Sequence, residues 1–235
     1  MSGCNEIAIP DPAVLYIAFG DSMTAGPSQR DYPDILRELL GQAPETFANE
    51  GKSGERPGEG LERLRSLISL GIYPNAHTLF YWEGGGGIID FIVEFDQFLL
   101  RSPDDSDYPY SSQLNEKLNT VQTNIETAIQ QARAAGLTVY IATYFSTPEI
   151  ISRCDPLLLN IILPGQARNA NAYMALLNQR IRQAAVNQGA ILIDVAAIDD
   201  TLHADNSNFF DCSHLSAKGN EIVAGLFFEA VNTPQ

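Results

Sequence analysis

Five short apolar runs, each followed by a segment with helical periodicity, constrain this chain more than any other feature. The runs are Val14–Phe19, Thr46–Asn49, Thr78–Trp82, Thr138–Tyr144 and Ala190–Asp194. Each is about 4–7 residues long and largely apolar or aromatic, as strands covered by helices on both faces must be. Between them, Tyr32–Leu40 puts Ile35, Leu36, Leu39 and Leu40 on one helical face, with Pro33 near its start. Gly60–Leu70 repeats the pattern with Leu61, Leu64, Leu67 and Ile68. Ile88–Leu100, Gln113–Ala135, Ala167–Asn187 and Ala217–Ala230 complete the set, and Gly136 and Gly189 stand where two of them should stop. The alternation predicts an α/β fold, a parallel sheet with helices on both sides.

At 235 residues the chain suits one full-sized core. The expected division is an N-terminal tail over residues 1–12 and a single domain over 13–235. No run of about 18 apolar residues occurs, so no transmembrane segment is expected. The formal charge of −15 disfavours nucleic acid and anionic membranes as partners. The sequence leaves the oligomeric state open.

The first run ends at Gly20, and Ser22 follows two residues later. A buried strand would thus deliver a serine to a sharp turn at its carboxyl end, where open α/β sheets place their chemistry. A serine hydroxyl is a poor nucleophile without an adjacent base. His214 is the best candidate, because a neutral imidazole can take the Ser22 proton and return it to a leaving group. Asp211, three residues before it, would hold the other ring N–H. Of the remaining histidines, His77 belongs with the connection to the third strand, and His203 lies closer to the Asp211–His214 block. No Gly-x-Ser-x-Gly elbow is present. No Gly-x-Gly-x-x-Gly or P-loop pattern follows the first strand, so a nucleotide site is not expected there.

The segments Leu15–Gly26, Phe47–Leu64, Leu79–Phe91 and Asp211-x-x-His214 together resemble, in order and spacing, the four sequence blocks of the SGNH (GDSL) hydrolases. The resemblance runs from about Val14 to about Glu229. It implies a three-layer α/β/α sandwich with a flavodoxin-like five-stranded parallel sheet in the order 2-1-3-4-5. It also implies a bacterial serine esterase or lipase that needs neither metal nor organic cofactor and acts on small-molecule esters through an acyl-enzyme. Ser22, Asp211 and His214 map onto the family's catalytic triad. The backbone N–H groups of Ser22 and Gly54 map onto two donors of the oxyanion hole.

The third block departs from the family pattern. Where the family reads Gly-x-Asn-Asp, this chain has Glu83 followed by four glycines, with Gly86 at the asparagine position and Gly87 at the aspartate. A lost side-chain donor of this kind costs about 10²–10³ in turnover. The oxyanion hole runs on two donors, or the backbone N–H of Gly86 or Gly87 replaces the amide, or the site has lost its catalytic use. On the reading of a working but altered site, Gly86→Asn is expected to raise the esterase rate. The rival readings are a non-catalytic acyl- or glycan-binding module and a carbohydrate deacetylase, with Tyr81, Trp82 and Tyr144 as sugar-stacking surfaces or, alternatively, as core.

Two further expectations concern loops and cysteines. Phe145–Gly165 carries Leu157–Leu159 and Ile161–Leu163, and is either buried packing or a cover for an acyl chain. Cys154 lies in that loop and Cys212 lies inside the Asp211–His214 block; a disulfide between them would pin the loop over the site, and two free thiols are the alternative. Met1-Ser2-Gly3-Cys4 has the form of a lipoprotein signal remnant, which points to an exported or periplasmic protein anchored at Cys4. Otherwise the segment is a tail with a free thiol on a cytoplasmic protein.

Overall fold

The computed structural model describes residues 9–28, 30–154 and 159–233. Cys4, Leu157 and Leu158 lie outside them. The strands are β1 (Tyr16–Gly20), β2 (Phe47–Gly51), β3 (Thr78–Trp82), β4 (Thr138–Ala142), β5 (Ser152–Arg153), β6 (Ile161–Ile162) and β7 (Ile191–Ile193). Five of them form a parallel sheet in the order β2-β1-β3-β4-β7, while β5 and β6 pair as a small antiparallel hairpin. The helices are α1 (Ser22–Ala25), α2 (Tyr32–Leu39), α3 (Pro57–Ser69), α4 (Gly85–Phe95), α5 (Ser111–Ala134), α6 (Pro164–Gln188), α7 (Asp199–His203) and α8 (Ala217–Asn232). The architecture is the expected three-layer α/β/α sandwich, with the strand order that the family resemblance implies. No helix among the described residues is long and apolar enough to cross a membrane.

Alternation along the central strands supplies the two faces. Phe80, edge-on, and Trp82, tilted, pack from β3 against Phe227 of α8, which packs with α2. Phe19 and Tyr81 stack on each other on the opposite face, and the Arg63 guanidinium of α3 lies over Phe19, 3.8 Å from its centroid. There α3, α4 and α6 gather around α5. All five residues of β3 are buried, as expected of a strand with neighbours on both edges and helices on both sides.

Register brings three loops together. Gly20 pairs with Gly51 on one side and with Trp82 on the other, so β1, β2 and β3 end level. The chain leaves β1 toward one edge and returns toward the other, which opens a crevice at this switch point. Gly20 is required there by close approach: a Cβ would lie 2.0 Å from the Trp82 carbonyl oxygen. The segments that follow these strand ends carry Ser22, Gly54 and the glycine run.

The third block departs from the sequence expectation in its helix bounds. Periodicity predicts a helix over Ile88–Leu100, whereas α4 spans Gly85–Phe95. It stops early because the Asp96 carboxylate accepts the N–H groups of Leu100 and Arg101, and Leu99 takes a left-handed φ of 51°.

Candidate active site

Ser22 opens α1 immediately after β1. Asp21 caps that helix: its Oδ1 accepts the Met23 N–H at 2.9 Å. Ser22 Oγ lies 2.9 Å from His214 Nε2. His214 Nδ1 faces Asp211, 2.9 Å from Oδ2 and 3.0 Å from Oδ1. A ring nitrogen facing a carboxylate carries the proton, which leaves Nε2 as an acceptor toward the serine hydroxyl. The Asp211 carboxylate also accepts the backbone N–H groups of Ser213 and His214, both at 2.8 Å. Burial raises its pKa, but the hydrogen bond and charge of His214 and the two N–H groups outweigh that and hold it below the usual aspartate value.

Cys212 is bonded to Cys154, with the Cα atoms 4.9 Å apart. The Cys212 N–H also donates to the Arg153 carbonyl at 2.7 Å. The β5–β6 hairpin is therefore tied covalently to the segment that carries Asp211 and His214. On this hairpin and its flanks Ile162 is buried, whereas Ile151, Ile161 and Leu163 are exposed. Among its described residues the loop therefore packs through Ile162 and leaves three aliphatic side chains exposed.

Gly54 is exposed, in the left-handed region at φ 76°, which a residue with a side chain rarely adopts. Gly86 is the second residue of α4, so its N–H has no carbonyl one turn back to bond. The two glycines lie close together: a Cβ on Gly86 would sit 2.3 Å from the carbonyl oxygen of Glu55, the neighbour of Gly54.

The floor beneath this crevice is acidic, which the sequence does not announce. Asp21 is buried, and its Oδ2 accepts the Tyr144 hydroxyl at 2.6 Å. Burial pushes its carboxyl up to about 6, against hydrogen bonds from Tyr144 and Met23 and the nearby His214. Glu83 is fully buried; Oε1 accepts the Gly84 N–H at 3.2 Å and Oε2 has no partner among the described residues. Burial, reinforced by the charges of Asp21 and Glu55, pushes the Glu83 carboxyl well above the carboxylate range. Glu55 is also buried, and the Arg63 guanidinium holds it, with Nη2 2.6 Å from Oε2.

Several sequence candidates fall elsewhere. Tyr81, Trp82 and Tyr144 are buried, so none offers a face for stacking a sugar; they are core. His77 bonds Thr78 Oγ1 and packs edge-on against Tyr16. His203 Nε2 bonds the Ser146 carbonyl oxygen at 2.9 Å and packs against Phe209. Asp90, three residues beyond Gly87, forms an ion pair with Arg56 at 2.5 Å.

Residues 18–222 match the model of the GDSL-like Lipase/Acylhydrolase family. The chain belongs to that family. Membership makes this GDSL-family chain a carboxylic ester hydrolase by class. Its fold is shared by solved structures of low sequence identity. An acetyl xylan esterase is 18% identical, with a TM-score of 0.61, over 93% of this chain and 100% of that one. The lipase/acylhydrolase from Enterococcus faecalis is 16% identical, with a TM-score of 0.61, over 93% and 95%. The psychrotrophic esterase EstA from Pseudoalteromonas sp., in a structure inhibited by monoethylphosphonate, is 14% identical, with a TM-score of 0.60, over 92% and 96%. No curated protein matches the GDSL-family sequence.

Proposed function

We propose that this GDSL-family protein is a serine esterase that cleaves short- to medium-chain carboxylic esters through an acyl-enzyme intermediate. The observation that carries this reading is the hydrogen-bonded line Ser22–His214–Asp211, with both links at 2.9 Å. Ser22 Oγ attacks the ester carbonyl while His214 Nε2 takes its proton; Asp211 fixes the ring and stabilises the imidazolium. The N–H groups of Ser22, Gly54 and Gly86 receive the developing oxyanion. His214 returns the proton to the departing alcohol. A water activated by the same nitrogen then releases the acid and restores Ser22.

The exposed Ile151, Ile161 and Leu163, tied through Cys154–Cys212 to the segment carrying the base, favour an acyl chain over a polar sugar next to the site. The intact line also weighs against a module that only binds. The test is hydrolysis of p-nitrophenyl acetate, butyrate and octanoate by the protein and its Ser22→Ala variant. Activity that disappears in the variant supports the reading, and the chain-length profile defines the acyl preference. A folded wild-type protein that is inert toward all three esters and resists phosphonate labelling at Ser22 would refute it.

A further inference from the structure

Three blocks of the crevice meet at one buried hydroxyl. Tyr144 follows β4, and its backbone is clamped by the Asn178 side chain of α6: Asn178 Oδ1 accepts the Tyr144 N–H at 2.8 Å and Nδ2 donates to the Tyr144 carbonyl at 2.7 Å. The hydroxyl donates to Asp21 Oδ2 at 2.6 Å and accepts the Gly85 N–H at 2.9 Å. The ring edge lies against the glycine run as well, 2.9 Å from where a Gly85 Cβ would sit. A single phenol therefore ties the residue before the nucleophile to the residue before Gly86. No side-chain donor can be placed at Gly86 on this backbone, because Glu55 already fills the Cβ position. What remains there is the N–H of Gly86 itself, free by its place in the first turn of α4.

We infer that Tyr144 is the positioning residue of the oxyanion hole, locking the Gly85 peptide to Asp21 so that the Gly86 N–H is held as the third donor in place of a side-chain amide. This rests on the serine esterase reading. It explains how four consecutive glycines, a sequence with high backbone freedom, present one fixed donor: the hydroxyl holds the Gly85 N–H and the Glu55 carbonyl packs against Gly86, the two middle residues of the run. Preorganisation matters because a donor that must reorient during the reaction loses much of its effect on the transition state.

The experiment compares four proteins on p-nitrophenyl butyrate: wild type, Ser22→Ala, Tyr144→Phe and Tyr173→Phe. Tyr173 is the control, another buried tyrosine whose hydroxyl bonds Tyr108 at 2.9 Å and Asp96 at 3.0 Å. Tyr144→Phe leaves the donor in place but unaimed, so kcat is expected to fall by about 10- to 100-fold, less than for removal of a donor. KM should stay within about twofold, and phosphonate labelling of Ser22 should slow in parallel. Tyr173→Phe should lower thermal stability with kcat unchanged. If Tyr144→Phe does not fold, Asp21→Ser tests the same link, since a serine can still cap α1 but is too short to reach the Tyr144 hydroxyl; the same kcat-selective loss is expected. Wild-type activity with kcat unchanged in the folded variant overturns the inference alone. A loss of kcat no larger than that in Tyr173→Phe for the same fall in stability overturns it too. Inert wild type fails the esterase reading, and the inference falls with it.

Discussion

Ser22 and His214 are 192 residues apart in sequence and 2.9 Å apart at Oγ and Nε2. The two ends of the chain meet because β1 lies in the middle of the sheet and α8, which follows His214, packs on α2 beside it. The third member, Asp211, is fixed from its own turn by two backbone N–H groups as well as by the ring. Asp211→Asn removes the charge that stabilises the imidazolium and the acceptor that sets the tautomer. The expected result is a fall in kcat of about 10³-fold with the fold retained. Steady-state kinetics with circular dichroism checks it, and a variant within tenfold of wild type would remove Asp211 from the catalytic line.

The disulfide makes a second prediction. Cys154 and Cys212 are 58 residues apart in sequence, and their bridge restricts the unfolded chain over that span. Its loss is expected to cost about 2–4 kcal/mol. Activity should fall as well, because Cys212 directly follows Asp211 and the untied hairpin no longer fixes that segment. Thermal unfolding and ester hydrolysis with and without a phosphine reductant, repeated on Cys154→Ser, measure both effects. Unchanged activity in the reduced protein would confine the bridge to stability.

Glu83 predicts a pH dependence of stability. Its folded pKa is raised, so the native state binds the proton more tightly than the unfolded chain. Stability is then highest below the ordinary glutamate value and declines as pH climbs from there toward the raised folded value. Asp21 acts in the same direction between 3.8 and about 6. Asp211, with its lowered pKa, acts oppositely and contributes stability that is lost only as pH falls below the usual aspartate range. Glu83→Gln keeps the volume and removes the titration, so its stability relative to wild type should increase from pH 5 to pH 9. Denaturant unfolding at several pH values measures this difference; parallel curves for the two proteins would show that Glu83 ionises normally.

The sheet was legible because strands buried on both faces write themselves as continuous apolar runs. Thr78–Trp82 coincides with β3, and the other four runs overlap their strands at shifted ends. The two-residue strands β5 and β6 are too short to carry a period, so the loop after β4 read as irregular. The hydrogen-bonded line Ser22–His214–Asp211 was legible because each member sits in a short block with its own spacing. The Asp21–Tyr144–Gly85 link was not, since Tyr144 lies 123 residues from Asp21 and no spacing rule joins them. Glu83 and Glu55 were hidden for a related reason: burial of a carboxyl is decided by tertiary packing, and a glutamate ending a strand normally signals a solvated loop.

Gly86→Asn separates the sequence reading from the structural one. On sequence alone, restoring the asparagine that the family carries should restore a donor and raise the rate. In the folded chain the added Cβ would lie 2.3 Å from the Glu55 carbonyl oxygen, a backbone atom that cannot swing aside. Relief requires moving either the Gly54–Glu55 turn or the start of α4, and both carry proposed oxyanion donors. Overpacking of this kind costs about 1–3 kcal/mol. The expected outcome is therefore lower thermal stability and a lower kcat, with Gly86→Ala behaving similarly because the clash begins at Cβ. Melting temperatures and p-nitrophenyl butyrate kinetics on both variants decide it. A faster Gly86→Asn enzyme, with Gly86→Ala slow, would mean that the Glu55 turn yields and that a side-chain amide outperforms the backbone N–H.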